Sequence, residues 1–165
     1  MFYSLLDQLG ETYIGTLIRE NGAIFPWIEA VHVMAITLVV GSILVVDLRL
    51  VGIASTTYPV SRLTRSLLPL TWVAFALALC TGLLLFSSQP ATYFDNFAFR
   101  MKMVLLLAAG LNMAVFHMLT ARGMAMWDGS AVLPASARAA GIISILIWIT
   151  IVACGRWIGF TMAPF

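Results

Sequence analysis

Residues 26–46 read PWIEAVHVMAITLVVGSILVV, twenty-one positions of which only Glu29, His32, Thr37 and Ser42 carry a polar side chain. About 20 mostly apolar residues in a helix cross a bilayer core. Three further runs of this kind follow, at about 67–86, 101–121 and 139–162. Of the 165 residues, 62% are apolar and 10% are charged, against about 25% charged in an average globular domain. The spans use most of the chain and leave no room for a soluble domain. The expected fold is all-α, an integral membrane four-helix bundle forming one membrane domain over 1–165.

Residues 1–22 extend this plan. Leu5, Leu6, Leu9, Tyr13, Leu17 and Ile18 recur at helical spacing with Asp7, Glu11 and Glu20 between them, which predicts an N-terminal interfacial amphipathic helix. Asn21 and Gly22 break it, and Pro26 suits the first turn of the next helix. No basic flank or small-residue cleavage site marks a signal peptide, so Met1 is expected to be retained. Pro69 falls in the first turn of the second expected span, and Asp47 and Arg49 close the first. Cys80 and Cys154 lie inside apolar runs, where cysteine behaves as a small hydrophobe rather than as a disulfide partner.

Four spans return the C-terminus to the side of the N-terminus. Call that side face A. Arg49, Arg62, Arg65, Arg122 and Arg138 collect at the opposite face B, against Arg19, Arg100, Lys102 and Arg156 at or near face A. The bias makes face B cytoplasmic, which implies a bacterial inner-membrane protein with periplasmic termini. Trp27 and Trp157 near face A, with Trp72 and Trp127 near face B, fit interfacial aromatic belts. A net charge of +2 with no run of Lys and Arg excludes nucleic acid as a partner. The partners expected are membrane lipid and a further copy of the chain or a redox protein.

An ionisable group in hydrocarbon costs roughly 2.5–3.5 kcal/mol on the insertion scale, so each one calls for a reason. Span one holds Glu29 and His32, three apart and on one helix face; span three holds Lys102, Asn112 and His117; span four holds Arg156. His32 lies about 9 Å and His117 roughly 25 Å below face A. This depth difference rules out a single iron held by both histidines. His32 and Asp47 are fifteen residues apart, as are Lys102 and His117. With spans one and three side by side, two polar layers result: Glu29, His32, Lys102 and Arg156 near face A, and Asp47, Arg49 and His117 near face B.

For the face B layer the plainest role is structural, with His117 donating to Asp47 or to a backbone carbonyl; a second cofactor or a proton relay is the functional alternative. For the face A layer the plain role is an ion-pair network joining Glu29 to Lys102 or Arg156. Its functional role is a metallocofactor site, with His32 as axial ligand to haem iron and Arg100 and Arg156 beside the propionates. Copper is the alternative, since Met34, Met101, Met103 and Met113 are soft donors, though scattered methionine is ordinary packing material. Glu29 with His32 also suits a hard divalent ion or a proton path.

The stretch Ile28-Glu29-Ala30-Val31-His32-Val33-Met34 followed by Gly41, and then Arg100-Met101-Lys102 opening a span that ends in Phe116-His117, resembles the four-helix membrane proteins of the HemJ-type protoporphyrinogen oxidase and copper-resistance CopD group, and related uncharacterised bacterial families. The resemblance covers about residues 26–120, and span four matches only as an apolar helix. It implies haem b, with His32 as one axial ligand and Lys102 as the second ligand or a close neighbour, and electron transfer or porphyrin oxidation as the work. The N-terminal helix, Glu29 beside the histidine and the Asp47-Leu48-Arg49-Leu50 end of span one depart from that pattern. Two other classes compete with this reading: a copper- or ion-handling protein without haem, and an assembly subunit whose polar layers only hold helices together.

Overall fold

The structure is a computed structural model that describes residues 1–128, 130 and 132–162. Among these residues every regular element is a helix. Four helices are long and apolar enough to cross a membrane: α3 (Ile24–Val51), α4 (Val60–Ser88), α6 (Phe97–Val115, continued by a π turn over Phe116–Thr120) and α8 (Ala135–Met162). Short helices fill the rest: α1 (Phe2–Gly10), α2 (Tyr13–Glu20), α5 (Pro90–Asp95) and α7 (Met124–Trp127).

The single interfacial helix expected over 1–22 is two helices. Thr12 accounts for the break. Its hydroxyl donates to the Leu9 carbonyl at 2.7 Å and accepts the Gly15 N–H at 3.2 Å, so one side chain closes α1 and N-caps α2. Both helices dock at face A. Phe2 packs on Phe94 of α5 with ring centroids 4.8 Å apart, and the Tyr3 hydroxyl donates to Asp95. Arg19 ties α2 down through the Gly10 and Ser88 carbonyls, each at 3.3 Å, and pairs with Glu11. At Gly15 the backbones touch: a Cβ there would stand 2.5 Å from the Ser87 carbonyl oxygen. Gly15→Ala is therefore expected to push α2 off the end of α4 and to cost about 1–3 kcal/mol, seen as a lower thermal midpoint in detergent; an unchanged midpoint contradicts this contact.

The spanning helices run past the apolar windows at several ends. α3 continues through Asp47 and Arg49 to Val51 and stops where Gly52 takes φ +89°, its N–H bonded to the Leu48 and Arg49 carbonyls. α4 starts at Val60 after Pro59, so Pro69 lies inside the helix rather than in its first turn. α6 begins at Phe97 because Asn96 caps it, accepting the N–H groups of Ala98 and Phe99. The other end of the Asn96 side chain donates to Thr161 of α8 at 2.8 Å. One residue thus fixes both the start of span three and its position against span four.

Packing joins α4 to α3, α3 to α8, and α8 to α6. Ala35 and Val39 of α3 and Ala74 and Ala78 of α4 are buried, and Ser42 shares a 2.8 Å hydrogen bond with Thr71 across that seam. α3 approaches α8 so closely that a Cβ on Gly141 would meet the Asp47 carbonyl oxygen at 3.0 Å. Asn112 of α6 donates to the Ala140 carbonyl of α8. Spans one and three do not pack side by side as the fifteen-residue spacing suggested; they stand diagonally, with α8 between them. α4 and α6 meet near face A, where Phe86 stacks on Phe99 at 5.4 Å beside Tyr93. Elsewhere those two helices do not pack along their lengths.

Candidate functional site

His32 sits about two turns inside α3 and faces α4. Its Nδ1 lies 2.9 Å from the Thr81 hydroxyl. That hydroxyl has one proton, which it gives to the Leu77 carbonyl at 2.7 Å, the usual back-bond of a helical threonine. With its proton on Leu77, Thr81 accepts from His32. The imidazole is held as the Nδ1–H tautomer, and Nε2 carries the lone pair. Gly82 makes room for the ring: a Cβ there would approach His32 Cε1 to 3.1 Å. Thr81 is nearly buried and His32 half-buried, so this contact belongs to the bundle interior.

Lys102 enters the same end of the bundle from α6. Its Nζ would lie 3.8 Å from a Cβ on Gly155, with Cys154 alongside, so the ammonium rests on the glycine face of α8. Its charge is within electrostatic reach of the His32 ring. The two side chains arrive from helices that do not pack on each other, His32 against α4 and Lys102 against α8.

The remaining residues of the expected face A layer do not join them. Glu29 is exposed, and its charge together with burial, the larger cause, pushes the Tyr93 phenol up to about 12, so that hydroxyl stays protonated at every physiological pH. Arg156 is exposed and lies 4.5 Å over the Phe160 ring, a cation–π contact on the outer surface. Arg100 is exposed, its charge within reach of the Tyr3 hydroxyl. The anticipated network of Glu29 with Lys102 or Arg156 does not form: among the described residues the one ion pair is Arg19 with Glu11. Glu29, Arg100 and Arg156 turn outward, where long side chains reach water while their stems cover apolar surface.

At face B the outcome is also mixed. Asp47 is 6% exposed and faces Ser144 of α8, but its Oδ2 has no partner. Arg49 is fully buried, donating through Nε to the Tyr58 carbonyl at 2.8 Å and through Nη2 to the Ser130 carbonyl at 3.1 Å. His117 does not reach Asp47. It is exposed on the π turn, with Nδ1 at 2.9 Å from the Met113 carbonyl. Trp127, assigned to an aromatic belt, instead packs against the Leu50, Val60, Leu133 and Ala137 cluster. Cys80 and Cys154 are both free.

Sequence reasoning missed Thr81 and Gly82, which hold the His32 ring. A polar residue followed by glycine in an otherwise apolar run was the available signal. Among the described residues no three His, Cys, Asp or Glu side chains gather as a metal-ion site. Residues 3–161 match a family of unknown function, DUF6644. No curated protein and no solved structure matches the chain.

Proposed function

The chain belongs to that family of unknown function, and we propose that it is a haem b-binding membrane protein with a redox role, in which His32 would hold the iron and Lys102 would be the second ligand or a close neighbour. One observation carries the reading: Thr81, its own proton on Leu77, takes Nδ1 of His32 as a donor and leaves Nε2 with its lone pair. Metal-binding histidines are oriented in this way, by a hydrogen bond from the nitrogen that does not ligate. The residues present suit a porphyrin better than a bare ion. A porphyrin brings four nitrogens of its own and needs from the protein only axial donors, whereas a bare copper or divalent ion would need a cluster of protein donors.

Haem iron, when bound, supplies a one-electron redox couple. The chain's own part is to present the imidazole in a fixed tautomer, to keep the contact away from water with the buried Ala78 and Thr81, and to offer the Lys102 amine from α6. Lys102 can ligate only as the neutral amine; as the ammonium it is a neighbouring charge. The resemblance to HemJ-type and CopD-type membrane proteins points the same way, toward electron transfer or porphyrin oxidation. The arginines at face B favour a bacterial inner-membrane setting with periplasmic termini.

The test is a reduced-minus-oxidised visible spectrum with a pyridine haemochrome assay on detergent-purified protein from haem-replete cells. Haem b near one per chain supports the proposal; a folded but colourless protein overturns it. A second measurement separates orientation from bulk. Thr81→Val removes the acceptor at nearly constant volume and is expected to weaken haem retention about tenfold, while Thr81→Ser keeps the hydroxyl and restores it. Equal retention in both variants would show that Thr81 does not orient the ring.

A further inference from the structure

A second polar group faces a gap on the other half of the bundle, where α4 and α6 stand apart. Leu68 and Trp72 of α4 and Met113, Ala114 and His117 of the third span line a cleft of about 270 Å³ between these helices. Both walls depart from regular α-helix at this level. Pro69, between the two α4 residues, has no N–H for the Arg65 carbonyl. On the opposite wall the π turn Phe116–Thr120 carries His117; such turns recur at functional sites because the extra residue moves a side chain out of α register.

The His117 ring has one nitrogen committed. Nδ1 lies 2.9 Å from the Met113 carbonyl, and a carbonyl only accepts, so Nδ1 bears the proton and Nε2 the lone pair. Among the described residues no hydrogen bond reaches Nε2. An acyl chain filling the cleft would offer that acceptor no donor. An occupant with a hydroxyl donor would satisfy it.

We propose that this cleft binds a membrane-dissolved flat ring bearing a hydroxyl group, of quinol type, with its O–H donated to His117 Nε2 and its ring against Trp72. Trp72 is 51% exposed and is steadied by an edge-on contact with Phe75 at 6.1 Å between centroids. A cavity of about 150 Å³ holds benzene, so this cleft has room for one substituted ring. A ligand dissolved in the membrane reaches a gap between two spans by lateral diffusion. The site lies roughly 20 Å along the third span from Lys102 and does not rest on the haem proposal.

The full chain in phospholipid nanodiscs is titrated with decylubiquinol, and saturable quenching of tryptophan fluorescence is read against empty discs. Binding of one ring per chain is expected, about tenfold weaker in His117→Ala, the loss of one hydrogen bond from an apolar site. His117→Gln, which keeps an acceptor, recovers part of it. Two control ligands separate the chemistry: decanol, which has the hydroxyl without the ring, and O-methylated decylubiquinol, which has the ring without the donor. Each is expected to bind about tenfold more weakly than the quinol. Absence of saturable quenching, an unchanged affinity in His117→Ala, or equal binding of either control overturns the proposal. The haem spectrum of the same samples is read separately, so the two proposals fail independently.

Discussion

His32→Ala is expected to remove at least nine-tenths of the haem b that co-purifies with the wild-type chain, while the helix content and the elution of the protein in detergent stay as they were. The size of the loss follows from what the ring contributes. In the proposed site it would be the protein's main donor to the iron, and even supporting groups around a metal ligand typically change affinity by 10–100-fold. The fold should survive. His32 is half-buried and bonds to Thr81, whose hydroxyl keeps its own Leu77 partner after the ring is gone. The space left beside Gly82 provides a second check. Added imidazole should re-enter it and restore part of the spectrum, which a mere loss of packing would not allow. His117→Ala is the contrast, because that ring is exposed on the π turn well away from Lys102. An unchanged spectrum in His32→Ala removes this assignment, and loss of haem only in His117→Ala moves the cofactor to the other half of the bundle.

Span number was legible because four apolar windows of bilayer length leave little alternative. Where the helices end was less so, since hydropathy reports where lipid lies and not where backbone bonding stops: α3 passes through Asp47 and Arg49, and α4 begins at Val60, seven residues before its apolar window. Thr12 was a readable cap signal hidden by the apolar periodicity on either side of it. His32 and Lys102 lie toward the same end of the bundle but on helices that do not pack on each other, so the side-by-side arrangement of spans one and three does not hold. Equal spacing along two helices sets depth, whereas neighbourhood depends on which faces pack, and Gly141 is what lets α8 come close to α3. Arg100 and Arg156 show the same limit. Their depth was legible, but a long cation near a helix end turns to whichever side offers water or an aromatic face, and Phe160 lies on the outer side.

Arg49 and Asp47 are both buried at face B, two residues apart on α3, and they should respond unequally to an apolar substitution. Arg49 holds two connections together, the α3–α4 turn through the Tyr58 carbonyl and the segment before α8 through the Ser130 carbonyl. Hydrogen bonds from a charged donor contribute about 1.5–3 kcal/mol each, and deleting the donor leaves both carbonyls without it. Arg49→Leu is therefore expected to cost about 3 kcal/mol or more, lowering the thermal midpoint in detergent and loosening the end of the bundle where Leu50, Val60, Leu133 and Ala137 cluster. Asp47 offers little to lose. Its Oδ2 has no partner, and Ser144 is the side chain that faces it. Replacing a poorly paired buried polar group by an apolar one of similar size is often neutral or stabilising, so Asp47→Val should stay within about 1 kcal/mol of the wild type. Arg49 Nη1 is also without a partner, but that single atom does not reverse the balance set by two good bonds. Equal losses in the two variants would mean that Asp47 and Arg49 act as a pair, and the separate accounts of them given by the hydrogen bonds would be wrong.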